Sequence, residues 1–507
     1  MFKGLGSLIN TLTLTVLLAS AKDTPPNVIL IYADDLGMGL LSKYGQPYLT
    51  TPHIDSLAER GMTMNRYYGS TYCAPARHAL LTGMHDGYSG AGSHSRGGFI
   101  TTLDRQEKNP QQWQQKYDLH ITERQQAVPI PESEVFLAQV AQNAGLTTAQ
   151  FGKLDVGFLT WHERVSRLGW EHYVGYYDHT RAHGFYPSYL WKNGNKLPLE
   201  GNHRWDAGKA NENASEPVGS LGQTYSQDVL LDELVDFIDQ NKERPFFLYH
   251  STQLPHGPAA INALHPEVAN NDALTFSEKK YASMVKMLDD HVGIILAELK
   301  RHHLEENTLI FFTSDNGHES YYINKQGQSA KKLNTTSKGK KWRTSDGGDT
   351  FNGSAGMVGL KRDLFEGGIH SPMFVVWPGR IAPNSTTEHL ATHYDFMATL
   401  ADVLGQPLPK GKDSLSYLPA LLGKPHQEQH NWIYISGFKN QGFTLITREG
   451  WKLIHSPKIG THLYSLQDNF LEQSNVADQH PDLVQQLLSI GQNQFNKERG
   501  DLNVSLD

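Results

Sequence analysis

The chain has one cysteine in 507 residues. A single cysteine cannot close an intramolecular disulfide, so the cross-linked scaffolds that hold many exported domains are excluded. The commonest fate of such a thiol is that of a small buried apolar residue, and its neighbours must decide whether it does more. Basic residues are scarce relative to acids. The 45 Lys and Arg against 53 Asp and Glu leave a formal net charge of −8, which excludes a protein that grips nucleic acid by bulk phosphate neutralisation. There is no internal repeat, and beyond the first residues no run looks transmembrane. What is present, 38% hydrophobic and 19% charged residues with 46 Gly, 9 Trp and 22 Tyr, describes an ordinary soluble enzyme. The length exceeds the usual size of one core and predicts a large catalytic domain with a smaller one appended.

Lys3 precedes an uncharged stretch from Leu5 to Leu18 that ends in Ala19-Ser20-Ala21, the small-x-small pattern accepted by signal peptidase. Residues 1–21 therefore read as a removed signal peptide; the apolar part is short for a span and no basic stop-transfer cluster follows. The expected location is periplasmic or secreted. The lack of disulfides favours a bacterial periplasm, where the sequons at Asn213 and Asn334 carry no glycan.

Asn27 to Tyr32 (NVILIY) is a continuous β-prone run that stops at Ala33-Asp34-Asp35, as expected of a strand buried on both faces of a mainly parallel sheet. The same grammar recurs where Pro245 to His250 runs toward Pro255-His256, and where Thr308 to Thr313 runs into Ser314-Asp315-Asn316-Gly317. A fourth run, Met373 to Trp377, follows Glu366-Gly367-Gly368. Helical patterns lie between them: Pro52 to Arg60 closed by Gly61, Ser133 to Asn143 closed by Gly145, and Ser277 to Leu299. The alternation predicts a layered α/β fold with helices on both faces of the sheet and ligands at its carboxyl edge. Between Lys325 and Arg343, five lysines (Lys331, Lys332, Lys338, Lys340, Lys341) sit in a long polar loop, either a solvated insertion or a cleft wall that attracts an anion. After about residue 405, three short strand patterns at 432–435, 443–446 and 451–454 and a helical one from Pro481 to Lys497 predict a small antiparallel sheet with one packed helix. The expected division is a catalytic domain at 22–405 and a C-terminal subdomain at 406–507.

Cys73-Ala74-Pro75-Ala76-Arg77 is followed by His78-Ala79-Leu80-Leu81-Thr82-Gly83, so Pro75 fits the first turn of a helix that Gly83 ends. Cys73 then stands at a helix amino terminus, where free amides and the helix dipole are expected to lower a thiol pKa and to favour a bound anion. Cys-x-Pro-x-Arg with Leu-Thr-Gly after it resembles the signature of the type I, formylglycine-dependent sulfatases, a family with an alkaline-phosphatase-like fold. The resemblance extends from Asn27 to roughly Asp468. It takes in Asn27 to Asp35, Thr51-Pro52-His53-Ile54-Asp55, Pro255-His256, Thr313 to Gly317, Lys361 to Gly368 and Trp451-Lys452-Leu453, in the family's order.

The resemblance implies hydrolysis of sulfate esters through a covalent sulfate intermediate, with the nucleophile being hydrated 3-oxoalanine (formylglycine) made from Cys73. The partner that makes it would be a formylglycine-generating or anaerobic sulfatase-maturating enzyme. Asp34, Asp35, Asp315 and Asn316 offer hard oxygens from two strand ends, which suit Ca²⁺ far better than a soft metal; by resemblance they are the calcium ligands. Arg77, Lys153 and Lys361 match the positions that hold the sulfate group, and Arg77, one helical turn beyond Cys73, can instead pair with a metal-site acid. His256 matches the histidine that assists departure of the leaving group. Asp155, in Gly152-Lys153-Leu154-Asp155-Val156-Gly157, stands where the family commonly has histidine. It is either a hydrogen-bond acceptor and base, a role for which Asp35 also qualifies, or a structural capping residue.

Export, the basic loop and the aromatic content fit a sulfated carbohydrate. The segment from Tyr176 to Tyr186 concentrates aromatic and basic groups and reads either as a packed aromatic loop or as specificity contacts through His179, Arg181 and His183. The galacto-configured sugars are the expected class. Two other readings remain at this level: a phosphonate or phosphodiester hydrolase on the same fold, and a catalytically silent glycan-binding protein that retains the pocket.

Overall fold

The structure, a computed structural model, describes residues 25–88, 133–154, 162–177, 181–204, 207–208, 217–322, 349–425, 428–467 and 470–495. The predicted signal peptide, the lysine-rich loop, both sequons, Asp155 and His179 lie outside these residues.

Every residue of the run Asn27–Ala33 is buried, and alternate side chains enter different cores. Ile29, Ile31 and Ala33 join one hydrophobic cluster; Val28, Leu30 and Tyr32 join the other. A strand with a core on each face has no polar side to show, which is why the sequence reads as an unbroken apolar run. This strand is β1. The others are β2 (Met62–Met64), β3 (Tyr67–Tyr68), β4 (Thr147–Lys153), β5 (His172–Tyr176), β6 (Tyr189–Lys192), β7 (Asn195–Pro198), β8 (Phe246–Ser251), β9 (Thr308–Ser314), β10 (Met373–Val376), β11 (Ser385–Thr387) and β12 (Ala391–Thr392). Ten of them form one sheet in the order β11-β2-β10-β9-β1-β8-β4-β5-β6-β7, while β3 and β12 pair separately. The central block β9-β1-β8-β4-β5 is parallel throughout. The run at 373–376 does form a strand, but β10 lies antiparallel to β9.

Helices cover both faces. Helices α1 (Pro52–Arg60), α4 (Ser226–Asn241) and α5 (Phe276–Arg301) contribute to the first cluster; α2 (Cys73–Thr82), α3 (Leu137–Asn143) and α6 (Asp395–Val403) contribute to the second. Helix α3 starts four residues later than the sequence predicts. Lys412 Nζ pairs with the Glu134 carboxylate and takes the Val135 carbonyl at 2.8 Å, so this stretch is tied to another loop, and Gln139 caps the Phe136 N–H at 2.8 Å. Helix α5 begins with a capping box, in which Thr275 and Glu278 each satisfy the other's backbone N–H.

The C-terminal segment forms an antiparallel sheet of β13 (Trp432–Ser436), β14 (Phe443–Thr447), β15 (Trp451–Ser456) and β16 (Gly460–Ser465), with helix α7 (Pro481–Gln494) after it. Strand β16 escapes the sequence pattern because only Leu463 and Tyr464 of its six residues are buried. Leu487 of α7 packs with Tyr434, Phe443, Leu445, Leu453 and Leu463 in a separate small core.

Candidate active site

The parallel block delivers its side chains to one edge. Asp34 and Asp35 follow β1, Asp315 and Asn316 follow β9, Lys153 ends β4, and Ser251 ends β8. Asp35 has φ of 63°, a left-handed conformation that a side chain tolerates only when its surroundings fix it. The turn after β9 is pressed against the Gly367-Gly368 backbone: Gly317 N–H donates to the Gly368 carbonyl at 2.9 Å, and a Cβ on Gly317 would stand 2.0 Å from the Gly367 oxygen. Glycine at 317 thus lets the acid loop and the Lys361 loop meet.

Opposite this edge stands α2, with Cys73 at its first position and Gly83 closing it at φ of 67°. Cys73 is 3% exposed. Burial pushes its thiol up to about 11, outweighing the lowering by Lys153 and Lys361. The expectation that the helix terminus lowers this pKa is therefore overturned: loss of water around a thiolate costs more than the helix end and two ammonium groups return. An unmodified Cys73 is a protonated thiol at neutral pH.

Three acids and three cations interlock around it. Lys153 Nζ lies 2.8 Å from Asp34 Oδ2, and Arg77 Nη2 lies 3.1 Å from Asp315 Oδ2 and 3.5 Å from Asp34 Oδ2. Lys361 Nζ lies 2.7 Å from Asp35 Oδ2 and 3.9 Å from Cys73 Sγ. Burial alone would raise all three carboxyls. The charges of Lys153 and Arg77 nevertheless hold Asp34 low, and Lys361 does the same for Asp35, whereas burial and the charge of Asp34 leave Asp315 well above the usual carboxylate range. Arg77 also donates to Ser251 Oγ at 2.5 Å and lies 5.0 Å from the Tyr32 ring centroid, so its fork is fixed.

His256 Nε2 is 3.1 Å from Lys361 Nζ and 3.4 Å from Asp35 Oδ2, and its Nδ1–H donates to the Gly257 carbonyl at 2.5 Å. Burial and the Lys361 charge hold His256 well below the usual imidazole range. Its Nε2 is then an acceptor, and the ammonium beside it carries the proton. Tyr321, which sequence reasoning missed, donates to Asp35 Oδ2, and its oxygen lies 3.1 Å from His256 Nε2 and 3.3 Å from Lys361 Nζ. No motif surrounds Tyr321; only its position five residues beyond Asn316 hinted at the site. His183 belongs here too, with its ring centroid 4.7 Å from that of His256. Arg181 packs its guanidinium 4.4 Å from the Tyr189 ring centroid and reaches Ser188 Oγ at 3.4 Å.

A divalent cation fits the oxygens. Asp34 Oδ1 and Asn316 Oδ1 are buried without a hydrogen-bond partner. Asp315 Oδ1 accepts the Asp35 N–H at 2.9 Å, and Asn316 Nδ2 donates to Asp35 Oδ1 at 2.7 Å, which locks these three groups together beside Asp34. Ligand atoms of Asp34, Cys73 and Asp315 lie within 4.8 Å of one another, as do those of Asp34, Asp35 and His256. Buried, unsatisfied carboxylate and amide oxygens are the donor set of a hard cation.

Fold and site together define a hydrolase of anionic esters, with anchoring cations, a cluster of buried acid and amide oxygens and a buried cysteine at a helix end. The chain belongs to the sulfatase family: the sulfatase family model matches residues 26–406, and the model for the C-terminal part of N-sulphoglucosamine sulphohydrolase matches residues 356–497. It is accordingly a sulfuric ester hydrolase. It is 28% identical over 531 aligned positions to N-acetylgalactosamine-6-O-sulfatase of Bacteroides thetaiotaomicron, covering 91% of each chain. To N-acetylgalactosamine-6-sulfatase of Canis lupus familiaris it is 30% identical over 418 positions, 80% of this chain and 67% of that one. A solved structure from work on glycosaminoglycan metabolism by Bacteroides thetaiotaomicron shares the fold at a TM-score of 0.70 and 23% identity, covering 94% of this chain and 100% of that one.

Proposed function

We propose that this sulfatase removes sulfate from a sulfated, galacto-configured carbohydrate, that Cys73 is converted to formylglycine by a maturation enzyme, and that Asp34, Asp35, Asp315 and Asn316 hold Ca²⁺. The observation that carries the reading is the burial of Arg77, Lys153 and Lys361 around Cys73, on a helix end, beside unsatisfied hard oxygens. Relatives that act on N-acetylgalactosamine 6-sulfate support the sugar class. A periplasmic or secreted location follows from the same reading of residues 1–21.

Once formed and hydrated, the formylglycine supplies a hydroxyl nucleophile toward sulfur, and bound Ca²⁺ would offset negative charge there. The chain's own groups do the rest. Arg77 and Lys153, fixed by Asp34, Asp315 and Ser251, keep their positive charge where sulfate oxygens arrive. Lys361 holds a proton between Asp35 and His256 and is placed to give it to the departing sugar oxygen; burial works against its charged form, but Asp35 keeps it protonated. The neutral His256 keeps Lys361 aimed, and Tyr321 closes the Asp35 side.

Mass spectrometry of the peptide Tyr67 to Arg77 tests the nucleophile. Protein made with a maturation enzyme should lose sulfur and gain an aldehyde there, and Cys73→Ala should abolish turnover with the fold intact. Parallel kinetics on sulfated sugars and phosphodiesters test the reaction, and faster phosphodiester cleavage would sink it.

A further inference from the structure

Between the loop that carries Lys361 and the small C-terminal sheet lies a shallow, solvent-open cleft. Arg362, Asp363, Phe438, Gln441, Ser456 and Lys458 are among its walls. Two of these walls continue into the reaction centre. Arg362 follows Lys361 in the chain, and Phe438 meets Tyr72, the residue before Cys73, edge to face with ring centroids 5.1 Å apart.

Two cations, Arg362 and Lys458, and one carboxyl, Asp363, line this cleft. Arg362 is exposed and commits one guanidinium nitrogen to Glu319 at 2.9 Å. Its guanidinium carbon lies 5.5 Å from the centroid of Phe438, and the Lys439 ammonium lies 5.4 Å from the same centroid, so one ring steadies two cations. Lys458 is exposed, and its ammonium makes no hydrogen bond or ion pair among the described residues. The one carboxyl in the lining, Asp363, turns Oδ2 to the Leu360 N–H at 3.1 Å, and burial pushes it up to about 7. Near neutral pH it is about half ionised, so it offsets part of the charge of Arg362 and Lys458 and leaves a net positive lining. Arg362 and Lys439 both hold left-handed backbone, with φ of 80° and 58°. Side chains adopt that conformation reluctantly, and such residues gather at ligand clamps.

We propose that this cleft is an anion subsite, one that takes a carboxylate or sulfate carried by the sugar next to the one being desulfated. The inference rests on the carbohydrate reading above. The sulfate to be cleaved sits among Arg77, Lys153 and Lys361; its neighbour's charge is read by Arg362 and Lys458, with Lys439 adding to the field from beside Phe438. The subsite therefore favours polymers charged on successive units and discriminates against singly sulfated ones.

The test uses the matured enzyme and four substrates. They are N-acetylgalactosamine 6-sulfate, the disaccharide in which glucuronate is linked to it, the same disaccharide with the carboxylate reduced to an alcohol, and one with a sulfate on the neighbouring sugar. Wild type should prefer a charged disaccharide over the reduced one by about tenfold in kcat/KM, mainly through KM. Lys458→Ala should cut that ratio several-fold and Lys458→Glu should invert it, whereas neither exposed substitution threatens the fold. Ratios that stay the same in both variants, or no preference in wild type, would overturn the subsite. Cleavage of an aryl sulfate with none of the four sugars turned over would instead overturn the carbohydrate reading, and the subsite with it.

Discussion

Two buried charge clusters lie a few residues apart in this chain, and they are built on opposite plans. Around Cys73, three acids face three cations, yet Asp34 Oδ1 and Asn316 Oδ1 are left without partners. Beneath the C-terminal sheet, Lys452 Nζ lies 2.8 Å from Glu366 Oε1 and 2.9 Å from Glu472 Oε1. His370 Nδ1 lies 2.9 Å from Glu366 Oε2, and Glu472 Oε2 accepts the Glu366 N–H at 2.8 Å. Each carboxylate oxygen of this second cluster has a cation or an N–H within 2.9 Å, although Glu472 Oε1 meets Lys452 as an ion pair without hydrogen-bond geometry. An unsatisfied buried group costs stability, so a fold keeps one only where something else completes it. The first cluster is open for a ligand. The second is closed, and it fastens the small sheet to the turn Glu366–Ile369, whose backbone meets both Gly317 and Gly69.

Substitutions should separate the two plans. The largest effect is expected at the open cluster: Asp34→Asn should lower kcat/KM on a sulfate ester at least about a thousandfold while thermal unfolding stays cooperative, because the acid that fixes Lys153 and Arg77 and would hold the divalent cation is lost, and with it the positive charge set around the sulfate. At the closed cluster, Lys452→Met strands two buried glutamates and should cost about 3–5 kcal/mol in denaturant unfolding, with turnover of the surviving folded fraction largely retained. A Lys452→Met protein with an unchanged midpoint and abolished turnover would erase the division. Metal linkage sharpens it further. Saturating calcium at about one hundred times Kd should stabilise the wild type by about 2.7 kcal/mol relative to chelated protein, and Asp34→Asn should lose most of that shift.

The smallest effect concerns Asp86, a carboxyl at the junction with the same small sheet, which accepts the Ser436 N–H at 2.7 Å but faces no cation among the described residues. Burial pushes it up to about 7 from 3.8. A carboxyl raised in the folded state binds a proton there that the unfolded chain has released, so its contribution is best at low pH and is lost as pH rises from about 4 to about 7. Asp86→Asn should flatten that slope and add on the order of 1–2 kcal/mol at pH 8 relative to pH 5. Equal stabilisation at both values would show that Asp86 does not titrate in that window.

Much of this was legible in the chain. Apolar runs that end in acids revealed the parallel block because burial on both faces removes the alternation that an exposed sheet shows. The Cys73 helix was readable from Pro75 and Gly83. Tyr321 and Ser251 were not, since each joins the site by contacts across long sequence separations and carries no local signature. The same holds for the closed cluster: Lys452 was visible as part of a Trp-Lys-Leu motif, but its partners Glu366 and Glu472 lie 86 residues before it and 20 after it. The thiol pKa was misjudged because a helix end is visible in sequence, whereas the depth of burial is set by the whole fold.

That depth has a consequence for the order of events in the cell. At 3% exposure, at the first position of α2 and with Lys361 Nζ 3.9 Å from its sulfur, Cys73 offers little surface to a modifying enzyme. Under the formylglycine proposal, conversion of its sulfur would then precede closure of the domain, which would make activation a race between modification and folding. On that proposal, a molecule that folds first stays inactive. Mixing purified, unmodified protein with a maturation enzyme should recover activity only after denaturation and refolding in its presence.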